Sequence, residues 1–328
     1  PALVLGFTLA GAAIAFLPTA SWRWLRGKTH ASQSVRGMVF GLPLPICSCG
    51  VVPMYRTLVR QGVPASAAMA FLVATPELGI EALIISVPFL GWKLTWARLA
   101  AAAVVAFLAG YIVGKMTPPS THVAPDLDAQ AKAPLSERVR DGVNFATVEV
   151  VDDVAAWLLV GLAVAALFDA GATPAALHAL HPMVQVALFA FIGLPVYVCA
   201  SGATPIAAAF LAIGVSPGAA LAFLLAGPAT NVTTFGILSS LHDRMTAIRF
   251  GAVVLGLAII SGWIVDAVIG PVTPPLLQLS EHTHGAVAWC CLAILVVATL
   301  SAVLRQGPRA FIGSVVSFGL DDAHEHDH

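Results

Sequence analysis

The chain has 328 residues, 59% of them hydrophobic and only 10% charged, with a mean hydropathy of +0.90 and a formal net charge of -1. Soluble domains carry about 25% charged residues, so the composition excludes one and identifies an all-α polytopic membrane protein in contact with a lipid bilayer. A net charge near zero offers nothing to a nucleic acid, and five cysteines in a chain this long do not make a secreted disulfide framework.

The chain begins at Pro1, already inside an apolar run and without Met or a charged n-region, as expected of a trimmed N-terminus. Apolar segments long enough to cross a bilayer, or nearly so, follow at 1–17, 65–90, 98–116, 153–170, 217–240, 247–269 and 286–304. Two further apolar segments, 37–61 and 184–213, are broken by Gly and Pro. The first contains GLPLPICSCGVVP at 41–53, with Pro43, Pro45, Gly50 and Pro53; the second contains GLPVYVCASGATP at 193–205, with Pro195, Gly202 and Pro205. Broken backbone at membrane depth must be buried in protein or line a cavity.

Basic residues orient the segments by the positive-inside rule. Arg23, Arg26, Lys28 and Arg36 precede the first motif, and Arg56 and Arg60 follow it, so 37–61 enters and leaves on the cytoplasmic side as a re-entrant hairpin. Span 65–90 then leads outward and 98–116 returns. Lys93 and Arg98 oppose this scheme, which assigns them to a short external loop. The stretch 117–152, with Lys132, Arg138 and Arg140, reads as a cytoplasmic linker with an amphipathic helix. Arg305 and Arg309 put the C-terminus inside, the loop His242–Arg249 is also inside, and the second broken segment enters from the opposite face.

The expected organisation is a first transmembrane repeat at 1–116, the linker, and a second, inverted repeat at 153–270. An external loop and last helix at 271–304 and a His/Asp-rich cytoplasmic tail at 305–328 complete it. At an offset of 152, residues 41–79 align with 193–231 without a gap, and 15 of the 39 positions are identical. Two halves of opposite orientation with broken segments are the pattern of a secondary transporter whose site lies where the halves meet.

After each hairpin comes a helix interrupted by proline, Pro76 in ATPELGIE and Pro228 in AGPATN. Glu77 lies near the centre of span 65–90 and Glu81 follows one turn later. A carboxylate at that depth costs about 2.5–3.5 kcal/mol and marks a proton or cation site, or a structural hydrogen bond to a hairpin. The second half supplies Thr230 and Asn231 in the corresponding segment. Cys47 and Cys49, two apart in a non-helical tip, can converge on one soft ion, and Cys199 stands at the repeat position of Cys47. The alternative for all three is close packing of a small apolar side chain. His324, His326 and His328 in the tail form a weak accessory metal tract. The segment NVT at 231–233 is a sequon inside an apolar span, and RGKT at 26–29 lacks the Gly a phosphate-binding loop needs. With no ATP-binding segment in the sequence, transport would run on a proton, sodium or substrate gradient, without a resident cofactor.

GLPLPICSCGVVP, TPELG, GLPVYVCASGATP and GPATN together resemble the predicted-permease family that includes organoarsenical and copper/zinc efflux permeases. The resemblance covers roughly 36–270 and implies an inner-membrane efflux permease for a heavy-metal ion or metalloid compound; the sequence leaves a homodimer open. It implies binding roles for Cys47, Cys49 and Glu77 in the first half and for Cys199, Thr230 and Asn231 in the second. The central stretch 117–145 has no Cys, unlike many copper/zinc members, and this weakens that assignment. Two other readings compete. One is a permease for a non-metal anion or small organic solute; the other is a membrane thiol–disulfide oxidoreductase using Cys47 and Cys49, which would need an exposed low-pKa thiol.

Overall fold

The computed structural model describes residues 24–44, 46, 48–118, 140, 143, 181–194, 200–230, 232–270, 293, 297 and 301. The expected spans 1–17 and 153–170, nearly all of span 286–304 and of the linker, the external loop and the His-rich tail lie outside the described residues.

Among the described residues the protein is helical, without strands. In the first half, α1 (His30–Gly41) and α2 (Ser48–Arg60) are short arms, followed by α3 (Ala65–Leu78) and the long, kinked α4 (Ile80–Met116). In the second, α5 (Pro182–Gly193) and α6 (Ala200–Ala212) are the arms, followed by α7 (Pro217–Ala229), α8 (Val232–Leu241) and α9 (Arg244–Ile269). An arm of 12 residues rises about 18 Å, too short to cross a hydrocarbon core of about 30 Å. By length and composition Ala82–Met116 and Arg244–Ile269 can each cross, and α7 with Thr234–Leu241, bent by 46°, makes a third candidate.

Helix starts recur 152 residues apart: His30 and Pro182, Ser48 and Ala200, Ala65 and Pro217, Ile80 and Val232. The turns between α2 and α3 and between α6 and α7 each use a glycine at positive φ, Gly62 at 75° and Gly214 at 88°, a conformation other residues rarely take. The helix ends are capped locally. Thr29 accepts from the Ser32 N–H, His181 from that of Met183, Ser216 from that of Ala219 and Asp243 from that of Thr246.

The paired helices α3 and α7 form the centre. Ser66 to Glu77 and Pro217 to Ala229 are buried without interruption, as expected of helices apolar all round. They pack on each other; α3 is flanked by α1, α2 and α4, and α7 by α5, α6 and α9. Small residues let these helices approach. A Cβ at Gly110 would meet the Ser66 carbonyl, and one at Gly262 would meet the Gly218 carbonyl, the contact that stands 152 residues on. Asp266 of α9 accepts from the Ser216 hydroxyl and the Gly218 N–H, placing an acid at the N-terminus of α7.

Three expectations are corrected. Segment 65–90 is not one straight span: α3 ends at Leu78, Gly79 is extended (φ -59°, ψ 153°), and a new helix starts at Ile80. Gly79 stands where a Cβ would meet the Thr75 carbonyl, which explains a glycine at the break. Lys93 and Arg98 are not in a loop. The chain stays helical across a kink at Gly91 (φ 75°), and both residues lie on α4. Lys93 is exposed beside Trp92 and Trp96, an edge-to-face pair suited to a membrane–water interface, whereas Arg98 points inward. The loop His242–Arg249 is only two residues long, because Asp243 caps α9 and Arg244 opens it.

Candidate functional site

The site is built around the broken end of α3. Pro76, inside the last turn, cannot donate to the Leu72 carbonyl, and Gly79 ends the helix two residues after Glu77. Pro228 does the same in α7, whose C-cap is Thr230. Hydroxyls supply local bonds at both breaks: Thr75 donates to the Phe71 carbonyl (2.8 Å) and Thr230 to the Ala226 carbonyl (2.6 Å).

Glu77 is fully buried and paired. Its Oε2 accepts from Arg98 Nη2 at 3.1 Å and from Nε at 3.3 Å. Arg98 Nη1 donates to Ser86 Oγ at 2.7 Å and to Thr204 Oγ1 at 2.9 Å. Ser86 in turn donates to the Ala82 carbonyl, 2.6 Å away, which fixes its oxygen toward the guanidinium. Arg98 is 1% exposed and Glu77 0%, so the pair lacks the water that would otherwise solvate it. Removing an ion from water costs several kcal/mol, which only close pairing and hydrogen bonding offset. Among the described residues, Glu77 Oε1 has no hydrogen-bond partner.

Thr204 belongs to α6 and Arg98 to α4, so this network joins the two halves. A second tie runs elsewhere: the Tyr55 hydroxyl on α2 lies 2.8 Å from His242 Nε2, just beyond α8. Thus α2 is bonded to the second half and α6 to the first.

The network has no polar counterpart 152 residues away. The positions related to Glu77, Ser86, Arg98 and Thr204 are Ala229, Leu238, Phe250 and Val52, all apolar and at most 1% exposed. Where one half holds an ion pair, the other holds hydrocarbon.

The remaining site expectations divide. Thr230 is buried at the break of α7, with its proton committed to Ala226. Gly50 is buried within α2, Gly202 and Pro205 sit within α6, and Pro43 is exposed just after α1. Cys49 lies in the first turn of α2, not in the non-helical tip expected of it; its side chain and those of Glu81 and Pro53 lie outside the described residues, as do Cys47, Cys199, Asn231, Pro45, Pro195 and the tail residues His324, His326 and His328. Among the described residues no group of three His, Cys, Asp or Glu could hold a metal ion.

Sequence reasoning missed Arg98, Ser86 and Thr204. A signal for Arg98 was present: Glu77 at membrane depth needs a partner, and Arg98 contradicted the charge-based topology. A cation buried in protein against a carboxylate does not count as a loop charge, and this removes the contradiction.

A family model described as predicted permease matches residues 1–267. A UPF0718 protein of Methanocaldococcus jannaschii is 22% identical, with 70% of this chain and 81% of that protein covered. A putative two-component membrane permease complex subunit of Streptococcus mutans is also 22% identical, over 76% of this chain and 85% of that protein. A UPF0718 protein of Escherichia coli is 31% identical over a shorter region, 39% of this chain and 37% of its own length. No solved structure matches the chain significantly. With a helical fold, apolar spans and a family match over most of its length, the chain belongs to the predicted-permease family of membrane transporters.

Proposed function

We propose that the protein is a secondary transporter of two inverted repeats that exports a thiophilic heavy-metal ion or metalloid compound across a bacterial inner membrane. The observation that carries the transporter mechanism is the buried Glu77–Arg98 pair at the broken end of α3, bonded to Thr204 across the halves. Ionisable groups within membrane-spanning segments are costly and rare, and they mark substrate or ion pathways. The recurrence of helix starts at 152 residues, with the paired Gly110–Ser66 and Gly262–Gly218 contacts, supports the two-repeat organisation. The short arms α1–α2 and α5–α6 support re-entrant hairpins, since neither arm spans a bilayer.

In this reading the Cys47–Cys49 pair and Cys199 recognise the cargo, Asn231, Thr230 and Glu81 line its path, and Glu77 couples it to a proton gradient. The C-terminus is cytoplasmic. The name of the streptococcal relative makes that protein one subunit of a two-component complex, so assembly with a second subunit or as a homodimer belongs to the proposal.

The test is binding by purified protein in detergent, with Cu(I), Zn(II) and trivalent arsenic titrated into wild type and the Cys47→Ser/Cys49→Ser variant. Stoichiometric binding that disappears in the variant supports a thiolate site. Equal or absent binding in both reduces the cysteines to packing residues and removes the thiophilic cargo.

A further inference from the structure

We infer that Arg98 is the binding group for an anionic cargo, and that Glu77 is a resident carboxylate the anion replaces when Glu77 takes up a proton. The inference deepens the transporter reading and rests on it for the use of the site, but not on the thiolate cargo.

With Glu77 ionised, the site holds one carboxylate and one guanidinium and is neutral overall. The guanidinium cannot lose its proton in a protein, so it stays cationic in every state. A bare metal cation arriving beside Arg98 would be repelled at close range in a medium that screens poorly. An anion meets the opposite situation, provided that Glu77 leaves. When Glu77 gains a proton, an O–H bond forms on the carboxylate and its charge is lost. Arg98 is then a buried cation without a counter-charge, a condition that costs several kcal/mol. One monovalent anion on Arg98 removes it. The site passes from carboxylate plus guanidinium to carboxylic acid, guanidinium and anion, neutral before and after, with one proton taken up for each anion.

Three features of the network support this use over a purely structural one. First, Glu77 holds Arg98 through Oε2 alone, and Oε1 has no partner among the described residues. A carboxylate serving only to neutralise an arginine would be expected to use both oxygens, in the fork geometry that binds guanidinium most strongly. Second, the fold does not need the ion pair, because Ala229, Phe250, Leu238 and Val52 fill the related positions with buried apolar side chains. Third, Arg98 also binds Thr204 of the other half, so an anion seated on Arg98 lies where the halves meet, the place alternating access requires.

The neighbouring charges do not compete. The packed helices α6 and α7 carry no ionisable residue. On α1, His30 bonds Ser66 and Arg36 bonds the Trp24 carbonyl; on α9, Asp266 is engaged by Ser216 and Gly218. Arg244 and Arg249 stand within the first turns of α9, and Tyr55 on α2 bonds His242. Arg56 and Arg60 lie near the end of α2. Lys93, exposed on α4, is the nearby cation whose substitution is run alongside.

The probe is bromide, small enough to enter any space a larger anion uses. Purified Glu77→Gln, which keeps the carboxyl shape without its charge, is titrated with sodium bromide against sodium gluconate at constant ionic strength, and its unfolding temperature is followed. The expected result is a saturable rise of about 2–4 °C, absent from Glu77→Gln/Arg98→Gln and retained in Glu77→Gln/Lys93→Gln. A flat titration, or a rise that persists without Arg98, overturns the inference. If Glu77→Gln fails to fold, weakly buffered wild type decides: bromide should drive uptake of about one proton per bromide bound, and Arg98→Gln none. No uptake in wild type overturns the inference as well. Loss of metal binding in the cysteine variant bears on the thiolate cargo alone, so the two readings fail separately.

Discussion

Arg98 Nη1 and Thr204 Oγ1 stand 2.9 Å apart although 106 residues separate them in the chain. The same guanidinium holds Glu77, so one side chain ties the broken end of α3 to α6 in the second half. Any motion of one half against the other must break or carry this bond.

Removing one member of the ion pair leaves its partner as a buried, uncompensated charge. Arg98→Ala is expected to destabilise by about 3–5 kcal/mol, and Glu77→Leu by a similar amount. The double variant Glu77→Leu/Arg98→Met should lose much less than the sum, because neither charge remains. Thermal unfolding of the four proteins in one detergent measures this. Additive losses would mean that the two side chains are not energetically paired.

The Tyr55–His242 bond is the second tie between halves. Tyr55→Phe keeps the ring and deletes the hydroxyl, so a loss of about 0.5–1.5 kcal/mol is expected. Unchanged stability would show that His242 satisfies itself elsewhere.

The cap of α9 carries a pH dependence. Asp243 Oδ1 accepts from the Thr246 N–H at 2.9 Å, and hydrogen bonding from Thr246 holds this carboxyl below its usual range. A folded pKa below the unfolded one stabilises at pH above the unfolded value, and the stabilisation is lost as pH falls through the folded value. Asp243→Ala should therefore cost about 0.5–2 kcal/mol at neutral pH. The gap to wild type should close below about pH 4. Unfolding temperatures across pH 3 to 8, compared for the two proteins, read this directly; a gap independent of pH contradicts it.

Close helix approach predicts sharp differences among glycines. A Cβ at Gly114 would meet both backbone and side chain of Ser66, and one at Gly218 would meet the Gly262 carbonyl, whereas Gly256 faces open space. Gly114→Leu and Gly218→Leu should each destabilise by about 1–3 kcal/mol or more. Gly256→Ala should be neutral or gain up to about 1 kcal/mol from helix propensity. Unfolding temperature and the yield of monodisperse protein distinguish the three.

The sequence by itself determined what composition and local chemistry control. Apolar content excluded a soluble domain, Gly and Pro marked the breaks between α1 and α2 and between α5 and α6, and the offset of 152 recurs in the helix starts, with His30 and Pro182 lying before the 39 aligned residues. Glu77 stood out because a carboxylate in an apolar span is costly wherever the chain folds. Only the tertiary structure decided who partners whom. Gly79 and Gly91 set where α3 ends and α4 bends, and that bend turns Arg98 from an apparent loop charge into the counter-ion of Glu77. Thr204 entered the site through the packing of α6 on α4, across 106 residues of chain that no local pattern spans. Backbone breaks are written in residue types, because Pro and Gly act on their own neighbours. Ion pairs between halves depend on distances that exist only after the helices have packed.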